Sequence, residues 1–344
     1  MNNILKLTIL ISIIITFQAC SQKIQIKAIK AAKITNNSIR YISVDDFRHD
    51  NIAQSSQIQT ALGNVQVDGK DYFHVVNRKD SNKILAEQKL KDSGLVDLID
   101  DEPIKGLEDV KALLTGEVLL NDMSSSRYYE TRTNYKRCIK SYKKRGKTYC
   151  KQYAKYRILC KSNIYSIKTK LNLIKISDGI NIFSKMYSKS IKYSHCRDDR
   201  NILPSKRSVN TNLAKQIANS LILDIAPSYV YFTATLLDSL DVDLSSKQED
   251  TFDMALKMIE LKRISKANKL LQALNSQIHN NSYVILYDLA ITTEALGDLN
   301  KALKLLNNAE DIAINKGKTI DEISNSIIRV KRNIAQQNKA NKQL

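Results

Sequence analysis

Acidic residues are almost missing from one stretch of this 344-residue chain: residues 127–196 hold 19 Lys and Arg against two acids, Glu130 and Asp178. The formal charge of the chain is +19, so this block, at a net of +17 (19 minus 2), carries nearly all of the excess. That distribution argues against a globally basic nucleic-acid coat protein and leaves one basic face on an ordinary body. Histidine is scarce: His49, His74, His195 and His279 stand at no metal-ligand spacing. The five Cys include no Cys-x-x-Cys pair, and no Ser-His-Asp, paired-carboxylate or phosphate-loop pattern occurs. The chain is therefore not expected to be an enzyme or to hold a cofactor or resident metal. Residues 7–17 form an apolar run of only eleven, too short to cross a bilayer of ~30 Å as a helix.

What is there begins with that run. Lys6 precedes it and Gln18-Ala19-Cys20 follows, the pattern of a secretory signal with a small residue before a Cys. It predicts a lipoprotein signal peptide over 1–19, lipidation at Cys20, and a lipidated tether over 20–36 that packs on the body or hangs free. An ordinary secretory signal with an incidental Cys is the alternative. Ser21, where Asp would hold such a protein at the inner membrane, favours the outer membrane, facing the periplasm. Export leaves Cys138, Cys150, Cys160 and Cys196 in an oxidising compartment, where two disulfides are expected and three connectivities are open. A metal site combining Cys196 with His195 and Asp198 or Asp199 is the rival.

Export also decides how the basic block is read. Residues 138–160 carry eight Lys and Arg, four Tyr and no acid, a mixture suited to a polyanion. Outside the cytoplasm that polyanion is not nucleic acid but an anionic lipid surface or an acidic partner protein. The expectation is a disulfide-stapled hairpin whose tip, Lys143, Lys144, Arg145 and Lys147, binds such a surface.

The patterning predicts an α+β domain over 37–240. Strands are expected over 38–44, 72–77 and 113–119, and helices over 53–65, 81–93 and 106–112. Hairpins follow across 127–196, among them 164–176, with Tyr165, Ile167, Thr169, Leu171 and Leu173 on one face, turning at Ser177-Asp178-Gly179 into 181–193. An apolar-faced helix over 210–223 and a closing strand over 229–237 complete the domain. Arg78 lies where it could pair with Glu87, Gly94 suits a left-handed helix end, and Gly116 allows a close backbone approach.

Val75-Val76-Asn77-Arg78, Ile84-Leu85-Ala86-Glu87-Gln88, Ser93-Gly94-Leu95-Val96-Asp97 and Leu114-Thr115-Gly116-Glu117-Val118 together resemble the curli assembly/transport (CsgG-type) lipoproteins. The penicillin-binding-protein activator lipoproteins share the same domain. The resemblance covers about 37–237 and implies a periplasmic α/β sandwich with a hairpin-rich insertion on a lipid anchor, without a catalytic residue. Curli channel subunits insert two hairpins into the outer membrane. Here the corresponding segments, 127–160 and 165–193, carry Lys and Arg where lipid contact would cost ~2–4 kcal/mol each near the bilayer centre.

After residue 244 there is no Pro, and before residue 315 only one Gly, so the texture turns helical. Ala255 and Ala267 recur at an offset of 35 as Ala290 and Ala302, with Leu289, Gly297 and Ala309 in the second unit. That spacing resembles tetratricopeptide repeats over 245–338, capped by a helix over 319–337, with Lys262 where the first unit should turn on Gly. Together these features predict a non-enzymatic, outer-membrane-anchored periplasmic adaptor in secretion or cell-envelope assembly. Its expected partners are an envelope or secretion protein and a second copy of itself. The alternative is a subunit of a ring-forming outer-membrane export channel.

Overall fold

The computed structural model describes residues 22–34, 37–77 and 110–344, and the chain divides into two compact units, 32–226 and a second made of 1–31 with 227–343. Cys20 and the signal segment lie outside the described residues, as do Arg78, Glu87, Gly94 and the helix expected over 81–93. Mixed α and β content fits the α+β class.

The unit 32–226 is built on a mixed five-stranded sheet. Its strands are β2 (Tyr41–Val44), β5 (His74–Asn77), β6 (Ala112–Lys144), β7 (Lys147–Lys175) and β8 (Asn181–Cys196), in the order β5-β2-β6-β7-β8. β2 runs parallel to β5 and β6, and β6, β7 and β8 form an antiparallel meander. A minor hairpin pairs β3 (Gln66–Val67) with β4 (Lys70–Asp71). Tyr165, Ile167, Thr169, Leu171 and Leu173 are buried on one face of β7, as their alternation predicts. Helix α2 (Lys206–Ile225) packs on β7 and β8, and α1 (Gln54–Gly63) packs on α2. Ser205 caps α2 by accepting from the Ser208 N–H, and Leu213, Ile217 and Leu221 are fully buried, worth ~1.5–3 kcal/mol each. Gly116 is required by contact: a Cβ there would stand 2.7 Å from the buried Phe47 ring.

Three sequence expectations shift here, the first being the 72–77 strand, which starts at His74. Residues Asn37–Arg40 form a short 3-10 turn, so the expected 38–44 strand starts at Tyr41. Ala112, the last residue of the expected 106–112 helix, instead opens β6, while 106–109 lie outside the described residues.

The second unit pairs β1 (Lys23–Lys30) with β9 (Ser228–Thr235) along their whole length. This corrects two readings. The start of the supposed tether is a strand, and the strand expected to close the α+β domain pairs with it. Ile24, Ile26 and Ala28 point inward, and Ile24 and Ile26 join one core with helices α3 (Ser246–Glu260), α4 (Ile264–Gln277), α5 (Tyr283–Ala295), α6 (Leu299–Asn315) and α7 (Asp321–Asn341). Ala255, Ala267, Leu289, Ala290, Ala302 and Ala309 are all buried. Lys262 and Gly297, 35 residues apart, both adopt left-handed backbone (φ 57° and 93°) at the turns between successive helices.

Candidate interaction site on the basic ribbon

β8 stops pairing with β7 at Cys196, opposite Cys160. Beyond that point, among the described residues, β6 and β7 continue as a two-stranded ribbon. The fourteen residues of β7 from 147 to 160 reach about 45 Å at ~3.3 Å per residue. The ribbon ends in a two-residue turn in which Arg145 (φ 51°) and Gly146 (φ 75°) both have positive φ, the twist that a tight hairpin favours. Lys144 pairs with Lys147 across it, so Lys143, Lys144, Arg145 and Lys147 are brought together at the tip, all exposed. Eleven Lys and Arg against one acid, Glu130, fall between 128 and 160.

An isolated two-stranded hairpin is marginal in water, so this one needs other support. Cross-strand aromatic contacts supply part: Tyr142 stacks on Tyr149 at 5.7 Å, Tyr135 meets Tyr153 edge-on at 5.2 Å, and Arg157 lies 4.8 Å over Tyr129. The four cysteines supply the rest. Cys138–Cys150 closes just past a bulge where Tyr135, Lys136 and Arg137 are extra residues on β6, and Cys160–Cys196 staples the base to β8. Sequence separations of 12 and 36 correspond to about 3 and 4 kcal/mol in the chain-entropy account.

The base is fixed by charge as well. The Arg132 guanidinium binds Glu130 at 2.9 Å, Asp199 at 2.8 Å, and Asp198. Tyr156 donates to Asp198 at 2.6 Å, and the Cys196 N–H donates to Asp199 at 2.6 Å. The Tyr156 hydroxyl, followed by Arg132, holds Asp198 below the usual carboxylate range; Arg132, followed by the Cys196 amide, does the same for Asp199. These contacts displace the rival metal reading: Cys196 is spent in a disulfide, and both aspartates face a guanidinium. Glu130 lies within 4.8 Å of both Cys160 and Cys196, but neither sulfur is a free thiolate. Beside the base, a cavity of about 600 Å³ runs along 193–204, with His195 Nδ1 buried and lacking a hydrogen-bond partner among the described residues.

The two hairpins expected over 127–160 and 165–193 share β7 and are one meander, a correction that the uninterrupted 29 residues of β7 impose. Among the described residues no helix is long and apolar enough to cross a membrane.

No family model and no curated protein matches the sequence. Among solved structures the chain is similar to the PelC dodecamer from Paraburkholderia phytofirmans, at 9% identity over 57% of this chain and 95% of that one, with a TM-score of 0.22. It is also similar to lipoprotein GNA1162 from Neisseria meningitidis, at 11% identity over 52% and 96%, with a TM-score of 0.20. At those TM-scores neither likeness bears on function.

Proposed function

We propose that the protein is a non-enzymatic lipoprotein of the outer membrane, anchored through Cys20 and facing the periplasm, that acts as an adaptor in secretion or cell-envelope assembly. The curli assembly/transport likeness of residues 75–118 and the tetratricopeptide-like reading of α3–α6 belong to this proposal. The observation that carries it is the ribbon: doubly stapled, largely exposed toward its tip, and holding eleven Lys and Arg against one acid. A cell that reduces its thiols would not maintain those staples, so they fit an exported chain. The ribbon's cations suit the anionic surfaces met after export, at ~1 kcal/mol per Lys or Arg, screened by salt.

The test replaces Lys143, Lys144, Arg145 and Lys147 by Gln and measures co-sedimentation with vesicles rich in anionic lipid. Binding should weaken at low ionic strength, vanish for both proteins at high salt, and leave the unfolding transition unchanged. Equal binding by the two proteins at low salt rejects the reading.

One observation favours the ring-forming channel as a second reading. Among the described residues no strand pairs with the outer edge of β8, nor with the edge of β6 that faces away from β7 beyond its short run on β2, save the single Arg48–Glu117 bridge. Free edges of that length could join copies head to tail. A detergent-stable oligomer that conducts ions in planar bilayers would support it.

A further inference from the structure

A cavity of about 440 Å³ opens in the unit containing β1, β9 and α7, within the range of small-ligand sites. Ile29, Val230 and Phe232 give it an apolar wall. Its charged lining is of one sign only: Lys30, Arg329 and Arg332, with no acid among the lining residues. This site is separate from the ribbon, and the argument for it does not rest on the adaptor reading.

The polar groups are held in place. Glu294, fully buried on α5, takes the Nε and Nη2 of Arg329 at 3.2 and 2.7 Å. That grip leaves Nη1 for a ligand, and the Arg329 Cζ lies 5.1 Å from the centroid of the Phe232 ring. Asn333 donates to the same Glu294 at 3.3 Å, which fixes its side chain. Gln336 accepts from the Ala31 N–H at 3.0 Å through its oxygen, so its amide nitrogen is the end left to donate. Glu294 offsets the charge of Arg329, so the exposed Lys30 and Arg332 set the net positive charge of the mouth. Burying Glu294 under a single arginine would be poor use of a charge if packing alone were needed, because a buried ion pair seldom adds net stability. It does orient a fork of donors beside an apolar wall.

We propose that this cavity is a carboxylate site: it takes a monoanion with an apolar body, the carboxylate at Arg332, Lys30 and Arg329 Nη1 and the body against Phe232 and Val230. The chemistry is shared by a free alkyl carboxylate and by the C-terminal residue of a chain that ends in an apolar side chain. A guanidinium is suited to the planar carboxylate, and the apolar wall supplies the affinity that a free carboxylate in water lacks.

The test is calorimetric titration of the full chain with octanoate, with octanol, and with an apolar-ended pentapeptide as free acid and as C-terminal amide. At least one acid should bind, and its uncharged counterpart should bind about tenfold more weakly, the loss expected for a charge-assisted contact. The double variant Lys30→Gln/Arg332→Gln should lose a similar factor while its thermal unfolding matches the parent, since both side chains are exposed. Tighter binding of octanoate assigns a free carboxylate, and tighter binding of the peptide acid assigns a chain terminus. Equal affinity for acid and uncharged probe, unchanged binding by the double variant, or no heat with either acid would overturn the proposal.

Discussion

Asp288 shows how much one residue can impose. It sits fully buried on α5, accepts the Leu237 N–H at 3.0 Å through Oδ1, and leaves Oδ2 with no hydrogen-bond partner among the described residues. Burial pushes its carboxyl well above the usual carboxylate range. In the unfolded chain the same group titrates near 3.9. Between those two values the folded state holds a proton that the unfolded state has released, so stability falls as pH rises through that window. The slope approaches about 1.4 kcal/mol per pH unit for one such group. Asp288→Asn has the shape of the protonated acid but cannot titrate. Its urea midpoint should therefore stay near the parent's at pH 3, below the unfolded value, and exceed it clearly at pH 8. Parallel midpoints at the two pH values would remove Asp288 as the source of any alkaline weakening.

Among the elements, the turns between helices give the most direct comparison. Lys262 and Gly297 share a left-handed backbone at equivalent turns, but only Gly adopts it without steric cost. Lys262→Gly should therefore stabilise the chain by about 0.5–1 kcal/mol, part of the gain being lost to the greater freedom of Gly when unfolded. A chemical-denaturation midpoint that falls instead would mean that the Lys262 side chain makes a stabilising contact. The offset of 35 makes this turn legible in the sequence. So did the alternation of Tyr165 to Leu173, because one face of β7 is buried and the other is not. β1 was harder to read. Its residues Lys23 to Lys30 do alternate, but Ala28 and Ile29 blur the period, and the partner strand begins at Ser228, about two hundred residues on. The length of the ribbon left no signature either. With both faces in water, no burial dictates its pattern, and only its charge and cysteines marked it. The carboxylate cavity was invisible for a different reason: its walls come from β1, β9 and α7, and no local motif joins Lys30 to Arg332.

Over the whole molecule, the two disulfides divide the chain into parts of unequal resistance. Cys160 and Cys196 are 1% and 2% exposed, whereas Cys138 is exposed and Cys150 half-buried on the bare ribbon. Thiol–disulfide exchange requires a thiolate to reach sulfur, so access separates the two bridges even where their chemistry is alike. Mild reductant should open Cys138–Cys150 first and leave Cys160–Cys196 closed until the sheet unfolds. Labelling of newly freed thiols, read by peptide mass, should then mark Cys138 and Cys150 several-fold sooner than Cys160 and Cys196. The same treatment removes the closure just past the bulge. Trypsin should then cut faster within 136–151, while the five-stranded sheet, held by Leu114, Ile167 and Leu171, stays resistant. Simultaneous labelling of all four cysteines would show instead that the ribbon and the sheet open as one unit, and that the base of the ribbon gives the sheet no independent protection.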